Sequence, residues 1–199
     1  MISEKPKIKM KLGGDYLTEK ELKKYRFKKL GRNVKIHERA SLYGTENISI
    51  GDNVRIDDYV VMVATGKIEI GSYVHISNFC FFGGAHGIVI GDFVGIAPHV
   101  MIFSSSDDYS GEKLVNPALV PKEMTGGKKG KVVLGKHVII GAGSVILPNC
   151  TIGEGVAIGA LSLVLSSLKP WGVYFGSPVR RLYERKKDLL KLEKKLLKK

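Results

Sequence analysis

One rhythm constrains this chain more than any other feature. An aliphatic residue followed by glycine returns at Leu30-Gly31, Ile50-Gly51, Ile70-Gly71 and Ile90-Gly91, and again at Leu134-Gly135, Ile140-Gly141, Ile152-Gly153 and Ile158-Gly159. Self-similarity at a fixed period marks a repeat architecture and is read before anything else. The first four starts fall twenty residues apart, and within each the apolar residue recurs every six, as in Ile50, Ile56, Met62 and Ile70, Ile76, Phe82. From Leu134 the period tightens to eighteen, running through Ile140, Ile146, Ile152, Ile158 and Val164.

Two residues before most of these positions stands a smaller side chain: Val54, Val60, Val74, Cys80, Val94, Val100, Val138, Ser144, Cys150, Val156, Ser162. Alternate residues of a strand share a face, so each pair points inward. A six-residue unit is then one short strand plus a corner, and three units return the chain above its start. The spacing predicts a triangular solenoid whose coils lie about 4.8 Å apart, the ordinary distance between paired strands. The two extra residues of the longer coils fall after the third unit and widen one corner.

Composition narrows the class. The length suits one domain, and 24 glycines with 7 prolines suit a coil full of corners. The amino terminus has no apolar signal core and the longest apolar run, Tyr59 to Ala64, is far too short to span a bilayer, so a soluble cytoplasmic protein without membrane insertion is expected. Cys80 and Cys150 occupy inward slots in separate coils and are expected to be inert packing residues. The net charge of +13 is concentrated at the ends: residues 1–29 carry +6 and residues 180–199 carry +7, which leaves a neutral repeat body. A neutral body offers no basic groove, so nucleic acid is not expected as a partner.

Three segments follow. Residues 1–29 are a basic stretch with a short helix opened by a capping box, Thr18 followed three residues later by Glu21, and extending to about Phe27 as a lid on the first coil. Residues 30–165 are the β-helix, interrupted by a loop over 103–132 whose length and lack of periodicity suggest function. Residues 166–199 pass through Pro170-Trp171-Gly172 and Gly176-Ser177-Pro178 into a basic amphipathic helix from about Val179, with Leu182, Leu189, Leu192 and Leu196 as its apolar stripe.

These repeats resemble the hexapeptide-repeat acyltransferases, and the Pro-Trp and Gly-x-Pro ending is similar to that of their galactoside, maltose and nucleotide-amino-sugar members. The resemblance implies an all-β solenoid, a left-handed parallel β-helix of hexapeptide repeats, with acetyl-CoA as cosubstrate and a homotrimer whose active sites lie between subunits. Spacing alone does not give the hand; the general preference for right-handed parallel crossovers points the other way.

Acyl transfer from a thioester needs a nucleophile freed of its proton, donors for the oxyanion and a channel for the carrier arm. In the galactoside and maltose enzymes the base is a histidine where the loop begins; the matching position here is Asp107. Coil arithmetic places His86 and Asp107 within one residue of the same corner on adjacent coils, so His86 is a candidate base with Asp107 or Asp108 as its orienting partner. The alternative is a solvated corner histidine. His75 is a further candidate, as a structural or substrate contact, and joins His86 only across a subunit interface. His37, His99 and His137 are expected at the surface.

A carboxylate in place of the usual base suits an amine acceptor, and the Ser-Ser-Asp-Asp-Tyr-Ser-Gly loop at 105–111 resembles that of thymidine-diphospho-amino-sugar N-acetyltransferases. The expected acceptor is therefore a sugar, namely the amine of a nucleotide-linked amino sugar of surface-polysaccharide synthesis, with sugar O-acetylation of the galactoside or maltose type, or streptogramin-type acetylation, as alternatives. A non-enzymatic scaffold lacks support. For coenzyme A the family places pantetheine against the pairs Gly141-Ala142 and Gly159-Ala160, with Arg180 and Arg181 near the 3′-phosphate. The family's Thr-Lys after the last coil is Ser166-Ser167 here. No metal is expected, because a zinc anhydrase of this fold needs three converging histidines.

Overall fold

The computed structural model describes residues 13–115 and 120–198. The expectation for residues 1–12 lies outside them. The strands form three sheets, one per side of a prism. The first face stacks Lys29–Leu30, Ile48–Ile50, Ile68–Ile70, Ile88–Ile90, Val132–Leu134 and Thr151–Ile152. The second stacks Lys35–Ile36, Arg55–Ile56, His75–Ile76, Gly95–Ile96, Ile139–Ile140 and Ala157–Ile158, and the third runs from Ser41–Tyr43 to Leu163–Val164. All of these pair in parallel with equivalent residues in register, such as Ile56 with Ile76 and Ile76 with Ile96.

The six-residue rhythm is the reason for the core. Ile56, Met62, Ile76, Phe82, Ile102, Ile140 and Ile152 are fully buried, as are Val60, Val100, Val138 and Val156 two residues before such positions. Each buried aliphatic side chain contributes roughly 1.5–3 kcal/mol, so like-on-like stacking fixes register coil by coil. Both cysteines are free and buried, and burial pushes the Cys80 thiol up to about 11, as expected for packing residues.

Several corners are turned by residues other than glycine with positive φ, among them Tyr59, Tyr73, Phe79, Phe93, His99 and His137. Left-handed backbone costs such residues roughly 1–2 kcal/mol. Ring stacking offsets it: Tyr73 lies 4.7 Å from Phe93 and Phe93 5.2 Å from His137, while Phe79 lies 5.0 Å from both Tyr59 and His99.

Both ends of the prism are covered. Below, Thr18 caps helix α1 (Glu19–Leu22) with both arms of the capping box formed, and Leu22 is buried against the first coil. The helix stops at Leu22, short of Phe27. Above, the winding continues past Leu165: Leu168 bridges Ile152, and strand Gly172–Phe175 adds to the second face beside Ala157–Ile158. The chain then reverses, and Arg180–Glu184 pairs antiparallel with that strand. The helix expected from Val179 is therefore a strand first. Its pairing covers the otherwise open edge of the last rung, and helix α2 begins only at Leu189 and ends at Leu197. Among the described residues no helix is long and apolar enough to cross a membrane.

Two histidines depart from expectation. His37 and His137 are each only 7% exposed; His99 is at the surface. His37 packs edge-on to Tyr16 and accepts from the Arg39 N–H. His137 sits under α2, where its Nε2 lies 2.8 Å from Glu193, whose carboxylate also pairs with Lys136. Spacing places a residue at a corner but does not show which corners the terminal segments cover.

Candidate active site

The long insertion leaves the third face after Phe103 as a two-armed neck. Ser106 N–H bonds to Lys128 C=O at 2.8 Å and Gly130 N–H to Ser104 C=O at 3.0 Å. Gly127 has φ of +114°, and a Cβ there would collide with the Ser106 carbonyl, so only glycine lets the arms close. Below the neck lies the His86 corner. The Ser104 hydroxyl, fully buried, donates to Gly83 C=O at 2.7 Å and accepts from His86 N–H at 2.9 Å.

His86 and Asp107 line one cavity of about 770 Å³, together with Tyr109, Lys122 and Lys129. The coil arithmetic thus brings these two together. Among the described residues the His86 and Asp107 side chains share this lining without a hydrogen bond to each other. Asp108 is turned into its own loop: its carboxylate accepts from Ser110 Oγ at 2.8 Å and from the N–H groups of Gly111 and Lys113, which hold it below the ordinary carboxylate range. It organises the loop tip and gives His86 no hydrogen bond.

His75 lies on the second face, away from that cavity, in a cluster that spacing did not disclose. Its Nε2 is 2.8 Å from Asp57 Oδ2; Asp57 Oδ1 accepts from Tyr16 Oη and Arg55 Nε, each at 2.6 Å. Burial pushes the Asp57 carboxyl up, but the hydrogen bonds from Tyr16, His75 and Arg55 outweigh it and hold the group below its usual range. Burial, then the bond to Asp57, raises the Tyr16 phenol. The twenty-residue period does place Arg55 one rung under His75; what it cannot show is that the segment before the solenoid folds back to bring Tyr16.

His75 shares an open groove of about 350 Å³ with Gly95, Ala97, Ile139 and Gly141. Gly141-Ala142 and Gly159-Ala160 stack at one corner, Gly141 N–H bonding to Ile158 C=O at 2.7 Å and Leu161 N–H to Ala142 C=O at 2.8 Å. Their glycines have a reason within the coil: a Cβ on Gly141 would meet Gly159 C at 2.6 Å, and one on Gly159 would strike the Phe175 ring. Arg180 and Arg181 are exposed on the last strand of the same face, opposite Phe175 and Tyr174. Among the described residues no cluster of three or more His, Cys, Asp or Glu could hold a metal ion.

Residues 131–166 match the family model described as bacterial transferase hexapeptide, six repeats. The chain is 47% identical over 179 residues to the dTDP-4-amino-4,6-dideoxy-D-glucose acyltransferase of Escherichia coli, covering 89% of this chain and 93% of that one. The chain belongs to the hexapeptide-repeat acyltransferases. This acyltransferase superposes on AntD, an N-acyltransferase from Bacillus cereus solved with dTDP and 3-hydroxybutyryl-CoA, with a TM-score of 0.89 at 45% identity, covering 93% of this chain and 97% of that one. A maltose O-acetyltransferase from Clostridium difficile 630 is more distant, with a TM-score of 0.57 at 25% identity over 85% of this chain and 75% of that one. The fold of this hexapeptide-repeat acyltransferase is accordingly the left-handed parallel β-helix.

Proposed function

We propose that the protein is an acyl-CoA-dependent N-acyltransferase that moves an acetyl or similar short acyl group to the amine of a dTDP-linked 4-amino sugar. The observation that carries this is the cavity under the loop, where His86 and Asp107 lie beside Lys122, Lys129 and Tyr109. Two lysines suit a diphosphate and the exposed Tyr109 ring suits a nucleobase, while imidazole and carboxylate serve the amine. The relatives act in the same sense: one is named for acylating a dTDP-4-amino sugar, and another was solved with dTDP and an acyl-CoA.

An amino sugar is largely ammonium at neutral pH and attacks only once neutral. Asp107 holds and orients the ammonium, and His86 takes its proton. The nitrogen lone pair then forms the C–N bond at the thioester carbon and the C–S bond breaks. Coenzyme A supplies the activated acyl group, and this chain supplies position. Gly141, Ala142, Gly159 and Ala160 line the arm's path, with Arg180 and Arg181 near the 3′-phosphate.

The cavity and the second-face groove belong to different sides of one prism. Acceptor and donor therefore meet between copies, which supports a homotrimer with three interfacial sites. The protein would act in the cytoplasm, and the acylated sugar would pass to a glycosyl transfer step of surface-polysaccharide assembly. The test is release of coenzyme A thiol with dTDP-4-amino-4,6-dideoxyglucose against a galactoside. Turnover on the amine is expected; turnover on the hydroxyl acceptor alone would overturn the proposal.

A further inference from the structure

His75 stands in the second-face ladder with Arg55 one rung below and Gly95 one rung above. Asp57 accepts only, so the hydrogen between Asp57 Oδ2 and His75 Nε2 belongs to the imidazole, an assignment made from the hydrogen-bond network. In the neutral ring this leaves the lone pair on Nδ1. The carboxylate cannot swing away: its side chain is 14% exposed and it also takes Tyr16 Oη and Arg55 Nε at 2.6 Å and Arg55 Nη2 at 3.2 Å. The His75 side chain itself is 46% exposed, so this fixed imidazole opens onto the groove.

Gly95 makes the room. Most glycines of the coil are required by backbone contact; a Cβ on Gly91, for instance, would meet Lys136 N at 2.9 Å. A Cβ on Gly95 would meet nothing nearer than Ile139 Cγ1 at 3.9 Å, and its φ is not positive. The fold does not need glycine there, and glycine weakens a strand. Its effect is a notch on the rung next to His75, in the groove that reaches Gly141.

We infer that His75 is a second proton-handling group of the acyl transfer, touching the reacting atoms through the Gly95 notch, with Asp57, Tyr16 and Arg55 as its positioning residues. This rests on the N-acyltransferase function proposed above. An ammonium acceptor loses two protons: one before the nitrogen attacks the thioester carbon, the other from the tetrahedral intermediate as the C–S bond breaks. His86 takes the first to solvent. His75 Nδ1 takes the second and delivers it to the departing sulfur, so the products are amide, coenzyme A thiol and one free proton.

The test uses the full chain with acetyl-CoA and dTDP-4-amino-4,6-dideoxyglucose, comparing His75→Gln, Tyr16→Phe and Gly95→Val. His75→Gln should lower kcat about 100-fold with little change in acceptor KM. Gly95→Val should keep or raise the melting temperature, because a β-branched residue suits the strand, and yet lose transfer. Tyr16→Phe should displace the acid limb of the kcat profile; among the described residues the titratable or charged groups hydrogen-bonded to His75 or to its carboxylate partner are Asp57, Arg55 and Tyr16. Imidazole nitrogen NMR shifts of the wild type should show the hydrogen on Nε2. Undiminished kcat in His75→Gln, or a hydrogen on Nδ1, overturns this role while leaving the proposed function standing. An inactive wild type overturns the proposed function first.

Discussion

Replacing Ser104 by alanine tests how the scaffold holds the catalytic corner. The hydroxyl makes two hydrogen bonds, to Gly83 C=O and from His86 N–H. The carbonyl keeps a second partner, because Ser104 N–H also bonds to it at 2.9 Å. The His86 N–H loses its partner, but His86 is exposed and water can reach it in part. The loss is therefore near the low end for an orphaned donor, about 1–2 kcal/mol. For a chain of this size that is a fall in melting temperature of roughly 2–8 °C. Activity should fall further than stability, since the corner that carries His86 is released, with kcat reduced at least about tenfold at a temperature where the variant is fully folded. Calorimetry and thiol release measure the two separately. A variant with unchanged melting temperature and unchanged kcat would refute the claim that this hydroxyl fixes the corner.

Three further outcomes are expected. Phe82→Ala empties the largest fully buried position and should cost about 3–5 kcal/mol, read by denaturant unfolding. Gly141→Ala drives a methyl into the backbone of the next coil and should cost about 1–3 kcal/mol even though the position borders the open groove. Hydrogen bonds from Lys136 and His137 depress the Glu193 carboxyl below its usual range, so the stability it gives to α2 is complete above about pH 5 and is lost as pH falls through the depressed folded-state value. Trp171, the sole tryptophan, lies beside His137, and its fluorescence should report an acid transition that Glu193→Gln abolishes.

The repeat was legible because every inward residue answers to one period: Ile76, Ile96 and Ile140 are neighbours for the same reason that they look alike. The same arithmetic brought His86 and Asp107 to one cavity. It failed where a segment outside the period folds onto the coil. Tyr16 reaches Asp57 from before the first strand, and Glu193 reaches His137 from α2, so the buried state of His137 and the network around His75 had no counterpart in spacing. Leu182 continues the leucine pattern of α2, so periodicity alone assigns Arg180–Glu184 to a helix; pairing with an open edge outweighs that pattern. Asp108 and Asp107 are indistinguishable as letters, and only the Ser110 and Lys113 contacts separate them.

Ile90 pairs with Leu134 in the register that Ile70 keeps with Ile90, although the entire loop intervenes. The prism is thus indifferent to what is spliced in at that point, as a bookshelf is to what hangs from its side. Acceptor choice can drift by exchange of a detachable module while the load is borne elsewhere, which gives such a scaffold a ready route to new sugars.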